Sequence, residues 1–504
     1  MILIIKGHSY RFEMENICRL FLPREKITVT ENDGFEGSSG DILVAVASLS
    51  DNGREVELKA ELISGSWHET AGECVSSDLG EEERDCERRL AVLLYRLFVR
   101  LYHFILPWGA VTGVRPVKLM RRLIERQGEE AAISRFRDAL LVSDEKTALC
   151  LDTLRAENDI LSLSRPDSFS LYISIPFCPT RCDYCSFVSH TVERAAKLIP
   201  DYVDKLCREI EYTGRIAGRL GLRLETVYMG GGTPTTMNAD QLARILGTVE
   251  KSFDLSGLRE YTVEAGRPDT VSADKLHAIK SAGVTRISIN PQTLRDEVLK
   301  AIGRRHTAAQ FFDAFGLARS CGFDNINTDL IAGLPGDDYD GFNGGMEELL
   351  RLSPESVTVH TLAMKRASNL VINRREDYDG GAETVRMVQS GIARLKSNGY
   401  RPYYLYRQSK TPGGAENTGW AKPGYEGLYN VYIMDETHTI LACGAGAVTK
   451  LRQPNGDYIE RIFNYKFPYE YNSRFDDMLQ RKGRVISFYE TLFPKTQPEA
   501  SGNQ

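Results

Sequence analysis

Three cysteines share one short segment of this 504-residue chain. Cys178, Cys182 and Cys185 follow the spacing C-x3-C-x2-C, directly after the alternating strand pattern of 171–175. Thiolates this close in sequence can converge on one metal centre, and three of them can hold three irons of a cubane [4Fe–4S] cluster. The fourth iron would then lack a protein ligand and could bind a small molecule. The spacing therefore predicts an iron–sulfur site with one open coordination position.

Two other interpretations of this loop must be weighed. A structural zinc site requires four ligands, and the nearest further candidate, His190, lies five residues after Cys185. A disulfide requires an oxidising compartment, whereas the other seven cysteines are scattered without a pairing pattern, as in reduced cytosolic proteins. The loop alone leaves both alternatives open, and the segments downstream favour iron.

Composition and charge argue against several classes of function. The net charge of −6 disfavours a nucleic-acid-binding protein that relies on bulk charge. The apolar run Met1–Ile5 is too short for a signal peptide. Arg96 and Arg100 interrupt the richest apolar stretch, 90–108, so we expect no membrane span. These features predict a cytoplasmic protein, and the length suffices for two or three domains.

Residues 1–165 mix strand and helix patterns, which predicts an N-terminal α/β domain of unknown role. The predicted elements are strands at Met1–Ile5, Lys26–Thr30, Ile42–Ala47 and Glu55–Glu61, helices at Tyr10–Leu22 and Glu81–His103, and further helices to about Asn158. The helix at 81–103 is apolar on several sides and should be buried. No catalytic constellation is present in this segment, and Trp108 and Arg115 are interpreted as turn or packing residues.

The pattern changes at residue 171 to strands that alternate with helices. Strands are predicted at Leu171–Ile175, Thr226–Met229, Glu260–Glu264, Arg286–Asn290, Asn325–Ile331 and Ser356–Thr361, and the helices between them at Leu198–Leu220, Ala239–Phe253, Ala273–Ala282, Ala308–Cys321 and Tyr339–Leu352. Six such units predict a parallel sheet in a partial (β/α)6 barrel over 166–370, with chemistry at the carboxyl ends of the strands. Residues 371–504 are predicted to form a mixed C-terminal subdomain.

Polar groups and glycines follow several of these strands. Strand Thr226–Met229 continues into Gly230-Gly231-Gly232-Thr233, where a ligand could approach the backbone closely. The loop lacks the Lys-Ser/Thr of a phosphate-binding P-loop, although a simple tight turn remains an alternative. Glu264, Gln292 and Asp329 lie at the ends of the next three strands, and each by itself could be a solvated loop residue. Together they suit the ammonium, carboxylate and ribose hydroxyls of a bound S-adenosylmethionine (SAM).

These segments resemble the radical SAM superfamily, whose cysteine motif places an aromatic residue before the last cysteine, here Tyr184. Within it, residues 165–450 resemble the oxygen-independent coproporphyrinogen III dehydrogenase (oxidase) family, in particular the HemZ-like variant with an N-terminal extension. The resemblance rests on Tyr172-x-x-Ile175-Pro176-Phe177-Cys178, the glycine loop with Thr233-Pro234-Thr235, Gly303-Arg304-x-His306, Gly333-Leu334-Pro335-Gly336 and Gly444-Ala445-Gly446.

The resemblance assigns roles residue by residue. Cys178, Cys182 and Cys185 would hold the [4Fe–4S] cluster. The SAM-binding residues would be Gly231, Gly232, Thr233, Glu264, Gln292, Arg304 and Asp329, with Tyr172 near both cluster and SAM, and Tyr172 and Glu264 are the candidate catalytic residues.

The resemblance also implies a reaction. A reduced cluster would cleave SAM, and the resulting 5′-deoxyadenosyl radical would remove hydrogen from a propionate of coproporphyrinogen III, which then loses CO2 and one electron to become a vinyl group. An electron donor such as flavodoxin or ferredoxin is implied as a partner. The substrate carries four carboxylates, so Arg267, Lys365, Arg366 and Arg407 are candidate cations of the pocket, with surface placement as the alternative for each.

The sequence departs from these relatives at two places that bear on the substrate. Well-known bacterial members of the dehydrogenase family have a fourth cysteine two positions after the third, where this chain has Phe187. A related heme chaperone carries His-Asn-x-x-Tyr-Trp late in the chain, where this sequence has Tyr429-Asn430-Val431-Tyr432-Ile433. Tyrosine can also ligate heme iron, so a heme-delivery protein that retains the cluster and the SAM site is the alternative function.

Overall fold

The computed structural model describes residues 1–23, 25–31, 42–186, 189–363, 381–409, 411–454, 456 and 458–492. The chain divides into two compact units. The first consists of Met1–Ala156, Ile331–Asn343 and Val359–Gly419, and the second of Glu157–Leu330, Gly344–Thr358 and Trp420–Gln504. The three-domain division at residues 165 and 370 remains a prediction from the sequence.

The N-terminal segment builds a five-stranded sheet with helices. Its elements are β1 (Ile2–Lys6), α1 (Arg11–Phe21), β2 (Thr28–Thr30), β3 (Val44–Asp51), β4 (Glu55–Ser64), β5 (Trp67–Ser76), α2 (Glu81–Arg84), α3 (Cys86–Tyr102), α4 (Pro116–Gln127), α5 (Glu129–Ser134), a π-helical turn (Arg135–Ala139) and α6 (Asp144–Leu161). The strand order is β2-β1-β3-β4-β5, parallel around β1 and antiparallel from β3 onwards. One apolar core joins the inward face of this sheet to α1 and α3, as the buried helix pattern predicts.

The structure differs from two predictions in this segment. Sequence patterns do not predict β5, because Val75 is its single buried residue and its other side chains are polar or half-exposed. The helix predicted over Glu81–His103 is divided at Asp85, whose φ of +43° lies in the left-handed region and ends α2 before α3 begins.

The next segment alternates strands with helices, as predicted. Its strands are β6 (Ser168–Ile175), β7 (Phe177–Cys178), β8 (His190–Thr191), β9 (Arg223–Gly231), β10 (Glu260–Glu264), β11 (Arg286–Ser288), β12 (Ile326–Ala332) and β13 (Ser356–Thr361). Its helices are α7 (Val192–Ala195), α8 (Ile199–Leu220), α9 (Ala239–Ser252), α10 (Ala273–Ser281), α11 (Asp296–Ala301), α12 (Ala308–Ser320) and α13 (Tyr339–Arg351). Residues 381–492 contribute α14 (Ala382–Ser397), β14 (Arg401–Arg407), β15 (Glu416–Ala421), α15 (Leu428–Asp435), β16 (Thr439–Cys443), β17 (Val448–Arg452), β18 (Ile459–Phe463), α16 (Pro468–Ser473), α17 (Phe475–Lys482) and α18 (Arg484–Leu492).

Seven strands of the second unit, together with the first five residues of β12, lie side by side in the order β12-β11-β10-β9-β6-β16-β17-β18. The five strands from β6 to β12 pair in parallel, so their carboxyl ends meet along one side, here called the carboxyl edge. Strand β16 pairs in parallel with β6, and β17 and β18 continue the sheet antiparallel. In β6 every residue except Tyr172 is buried, as expected of a parallel strand covered on both faces. Within the described ranges, no helix combines the length and apolar character that crossing a bilayer requires.

A buried carboxylate connects the C-terminal helices to this sheet. Glu209 on α8 is fully buried and accepts hydrogen bonds from the Gly444 amide at 2.8 Å and the Tyr471 hydroxyl at 2.6 Å. Asn464 donates to it at 2.8 Å, and the buried Lys482 ammonium lies 2.6 Å away. A buried charge is tolerated where it is paired and hydrogen-bonded, so this arrangement fixes α16 and α17 against α8.

A second polar cluster lies at the amino ends of the parallel strands. Glu225 on β9 is fully buried and accepts hydrogen bonds from Ser168 at 2.6 Å and from the Tyr432 hydroxyl at 3.1 Å. The His438 ring stacks on Tyr432 with ring centroids 3.6 Å apart, its Nδ1 lies 3.0 Å from Ser170 Oγ, and its Nε2 lies 3.8 Å from Glu225. This end of the barrel is closed by buried hydrogen bonds and carries a structural role.

His438 makes folding stability depend on pH. Burial, aided by the nearby positive charges of Arg259 and Arg452, lowers the pKa of His438 to about 3. The unfolded chain, with a histidine pKa of about 6.5, binds more protons between these values, so stability falls as pH drops below about 6.5, by at most about 1.4 kcal/mol per pH unit from this residue. In thermal melts, His438→Gln should lose less stability than wild type between pH 7.5 and 5.

The exposed His277 provides the matched control. His277→Gln should show the same loss of melting temperature on acidification as wild type. Equal acid sensitivity of His438→Gln and wild type would contradict a buried, neutral His438.

Candidate cluster and cofactor site

The cysteine loop is anchored at both of its ends. Cys178 lies in β7, which pairs in parallel with β8, and all three cysteines of the loop are partly exposed. Further along, the Thr180 hydroxyl donates to the Gly303 carbonyl at 3.0 Å, and the Asp183 amide donates to the Ile302 carbonyl at 3.0 Å. The loop that carries the predicted cluster ligands therefore rests on residues 302–303, which follow α11.

The glycine loop after β9 is hydrogen-bonded to the backbone that enters the cysteine loop. The Gly232 amide donates to the Ile175 carbonyl and the Thr233 amide to the Phe177 carbonyl, both at 2.7 Å. The buried Thr233 hydroxyl points to Cys178 Sγ at 3.6 Å. A Cβ on Gly232 would lie 2.5 Å from the Phe177 oxygen and 3.0 Å from Cys178 Sγ, so any side chain here would force the two loops apart.

Three tyrosine rings, from β6, β9 and α15, stack on one another. Tyr228 stacks on Tyr429 with centroids 4.6 Å apart, and Tyr172 stacks on both at 6.1–6.3 Å. The Tyr228 hydroxyl donates to Glu264 Oε1 at 2.5 Å. Burial, together with the negative charge of Glu264, raises the pKa of Tyr228 well above its usual value, so the hydroxyl stays protonated and orients this carboxylate.

Gln292 and Asp329 are joined through the backbone of neighbouring strands. The Gln292 amide donates to the Asp329 carbonyl at 2.9 Å, and Gln292 bridges in parallel to Leu330. Gln292 has a φ of +71°, an uncommon conformation for a non-glycine residue and one that often marks a functional site. Asn327 donates to the Asp329 carboxylate at 2.7 Å and fixes its orientation.

Arg304 connects the sheet to the aromatic residue of the cysteine motif. Its buried guanidinium donates to the Asn290 carbonyl at 2.8 Å and to the Tyr184 hydroxyl at 3.2 Å. The arginine thus lies beside the cysteine loop.

Two further residues at this edge were not assigned to the cluster or SAM site from the sequence. His306 is buried, and neither ring nitrogen makes a hydrogen bond in the part of the chain that the structure describes. Burial, followed by the charges of Arg304 and Arg267, lowers the pKa of His306 to about 3, which keeps the ring neutral. Arg267, interpreted from the sequence as a candidate for substrate carboxylates, donates instead to Cys182 Sγ at 3.6 Å. The motif Gly-Arg-x-His contained the only sequence signal for His306.

Arg407, another candidate cation for the substrate, is held by backbone carbonyls. Arg407 is buried in the first unit, where its guanidinium donates to the Gly414 carbonyl at 3.0 Å and also to the Val111 carbonyl. Burial lowers the pKa of Arg407 to about 10. Its donors are engaged by the backbone, which corrects the assignment to a substrate pocket. Lys365 and Arg366 lie outside the described residues.

The residues present fit an iron–sulfur cluster and SAM, although they do not form a ready-made metal site. Over the described ranges, no three His, Cys, Asp or Glu side chains converge closely enough to hold a metal ion. The donor set nevertheless suits a cluster, because three partly exposed thiols lie on one loop. Beside them lie the space left by the missing side chain of Gly232, here called the cradle, and the guanidinium of Arg267. The roles of the cysteines and of the SAM-contacting residues remain predictions.

The parallel sheet with a cysteine loop at its carboxyl edge defines a radical SAM protein, and residues 172–349 match the model of the Radical SAM superfamily. The chain belongs to the family of the oxygen-independent coproporphyrinogen-III oxidase-like protein HemZ. It is 34% identical to HemZ of Bacillus subtilis strain 168 over 492 aligned residues, and this alignment covers 96% of each chain.

Other relatives share the core. The heme chaperone HemW of Bacillus subtilis strain 168 is 31% identical over 310 residues, which is 60% of this chain and 77% of that protein. Among solved structures, coproporphyrinogen III oxidase (HemN) from Escherichia coli matches with a TM-score of 0.50 and 21% identity, over 67% of this chain and 78% of that chain. This likeness concerns the fold. It confirms the predicted fold class, a radical SAM barrel with additional α/β segments before and after it.

Gly232→Ala tests the cradle between the two loops. The added Cβ clashes with the Phe177 carbonyl and crowds Cys178, so we expect SAM affinity to fall at least tenfold, about 1.4 kcal/mol, in calorimetry of the anaerobically reconstituted protein. Gly247→Ala on α9 is the control, since a Cβ there meets no atom within 4 Å. Equal affinities for Gly232→Ala and Gly247→Ala would contradict the cradle.

Simultaneous replacement of Cys178, Cys182 and Cys185 by Ala tests the metal ligands. Reconstituted wild type should contain about four irons per chain with a cluster absorption spectrum, and the triple variant should contain none above background. Cys74→Ser, at an exposed cysteine in β5, should keep the full iron content. Retention of iron by the triple variant would remove these cysteines from the site.

Proposed function

We propose that this protein is a radical SAM oxidoreductase that decarboxylates two propionates of coproporphyrinogen III, giving protoporphyrinogen IX without oxygen. One observation carries the proposal: the cysteine loop, the glycine loop and the polar strand ends meet at one edge of one sheet. The family membership and the likeness of the barrel to HemN support this choice of substrate class.

A [4Fe–4S] cluster with SAM, when bound, would supply the power to abstract a hydrogen atom from an unactivated carbon. The chain's own residues would hold and orient the cluster ligands and SAM. Gly231 and Gly232 would let the methionyl part of SAM approach the backbone, and the Thr233 hydroxyl would orient Cys178. The carboxylates of Glu264 and Asp329 would accept hydrogen bonds from SAM donors, with orientations already fixed by Tyr228 and Asn327.

The tyrosine rings would exclude water from this site. Tyr172, Tyr228 and Tyr429 stack on one another, and the Tyr228 hydroxyl donates to Glu264, so this group of aromatic rings adjoins the carboxylate. A dry, preorganised site protects a reactive species from side reactions and strengthens its electrostatic interactions. The electron would come from an external donor such as flavodoxin or ferredoxin, which the proposed reaction requires as a partner.

A heme-delivery function is the second candidate, because HemW proteins are named heme chaperones and share the core of this chain. The candidate heme ligand would be Tyr429, which stands where the chaperone motif has histidine. In this structure Tyr429 is 4% exposed, and its ring is stacked against Tyr228 and Tyr172. A phenol engaged in this way is poorly placed to reach an iron, which supports the enzyme over the delivery protein.

The two candidates give opposite results in paired anaerobic assays. With coproporphyrinogen III, SAM and a reductant, we expect 5′-deoxyadenosine and CO2 to form in step, with a tetrapyrrole product of lower mass. Titration with heme should give no stoichiometric Soret band. Stoichiometric heme binding that is lost in Tyr429→Phe, together with no substrate-dependent SAM cleavage, would establish the delivery function instead.

A further inference from the structure

We propose that Arg267 is a positioning residue of the cluster site: it holds the Cys182 part of the cysteine loop and makes the bound cluster easier to reduce. The inference rests on the proposed [4Fe–4S] cluster but not on the tetrapyrrole reaction. It replaces the interpretation of Arg267 as a ligand of substrate carboxylates.

The position of Arg267 is fixed by a two-pronged ion pair. The residue follows β10 at the carboxyl edge, and it is 3% exposed. Its Nε and Nη2 donate to the two carboxylate oxygens of Asp269 at 3.0 and 3.1 Å. This planar fork leaves the guanidinium no freedom to swing towards another carboxylate.

The other side of the guanidinium faces the cysteine loop. Nη1 lies 3.2 Å from the Thr180 hydroxyl oxygen and 3.6 Å from Cys182 Sγ, and Nη2 lies 3.2 Å from the same Thr180 oxygen. Every guanidinium nitrogen therefore has an acceptor within the chain, and the acceptors on this side belong to the loop. The same Thr180 hydroxyl contacts the Gly303 carbonyl at 3.0 Å, so Arg267 joins the loop to its support.

An N–H group that points at a ligand sulfur favours electron uptake by the cluster. Reduction adds one negative charge, and hydrogen bonds to the sulfurs and nearby charge are among the factors that set cluster potentials. Arg267 is buried, so water screens its effect little. Arg304 also hydrogen-bonds to Cys182, besides its contacts with the Asn290 carbonyl and the Tyr184 hydroxyl. Arg267 and Arg304 thus both direct N–H groups at the same predicted ligand sulfur, and Arg267 also binds the Thr180 hydroxyl of the loop.

The experiment compares Arg267→Gln, Arg267→Lys and Arg259→Gln with wild type, each as the full chain reconstituted anaerobically. Cluster reduction is followed by electron paramagnetic resonance against dyes of known potential, with iron content and melting temperature measured in parallel. Arg259 precedes the same strand at its opposite end and contacts Glu225 and Tyr432, which makes it the matched charge-removing control.

We expect Arg267→Gln to disfavour one-electron reduction about tenfold, which corresponds to a potential about 59 mV lower. Arg267→Lys should recover part of that loss because it restores the charge, and Arg259→Gln should match wild type. Lower iron content in Arg267→Gln, with unchanged melting temperature and recovery in Arg267→Lys, would support the holding role.

Full iron content with unchanged potential in Arg267→Gln would overturn the inference. A potential shift in a protein that does not turn over coproporphyrinogen III would sustain the inference while the proposed function fails. A wild-type chain that takes up no cluster would overturn both.

Discussion

Two backbone hydrogen bonds join the glycine loop to the cysteine loop, the two segments that carry the predicted cofactor site. The amides of Gly232 and Thr233 bind the carbonyls of Ile175 and Phe177, each at 2.7 Å, and so fix the loop after β9 against the start of the cysteine loop after β6. Neither bond involves a side chain, so the pairing depends on backbone geometry, and Gly232 is what permits it, since a Cβ would meet the same carbonyl. Thr233 and Cys178 take their relative positions from this junction.

Elements with a strong local pattern could be predicted from the sequence. Strands Glu260–Glu264 and Ser356–Thr361 have the predicted bounds, because their β-branched and aromatic residues favour the extended backbone of a strand. The order of glycines and carboxylates along the chain also predicted that these residues lie along one edge of the sheet, where the structure places them, since parallel strands bring their carboxyl ends together. Strand β5 gave no such signal, because its half-exposed polar residues carry little hydrophobic periodicity.

Contacts between distant residues could not be predicted in this way. Tyr429 reaches Tyr172 and Tyr228 from a helix far along the chain, and nothing in its own segment indicates a place inside the barrel. Arg267 was assigned by charge alone, whereas its role is decided by Asp269 and Thr180. Likewise Glu209 and Lys482 look like surface residues in the sequence, and only the fold shows that they are a buried pair. Charge indicates which groups a residue can bind, but burial and geometry determine which of them it does bind.

The parallel pairing of β16 with β6 has a consequence for synthesis on the ribosome. Ser174, beside β16, hydrogen-bonds to the Ala445 carbonyl, 271 residues later in the chain. Until that late segment emerges, one side of β6 exposes unpaired backbone amides and carbonyls, a surface that attracts other strands. Contacts this distant in sequence also form slowly. The nascent chain must therefore keep its central strand from mispairing through most of translation, and a chain truncated before residue 439 keeps that edge open permanently.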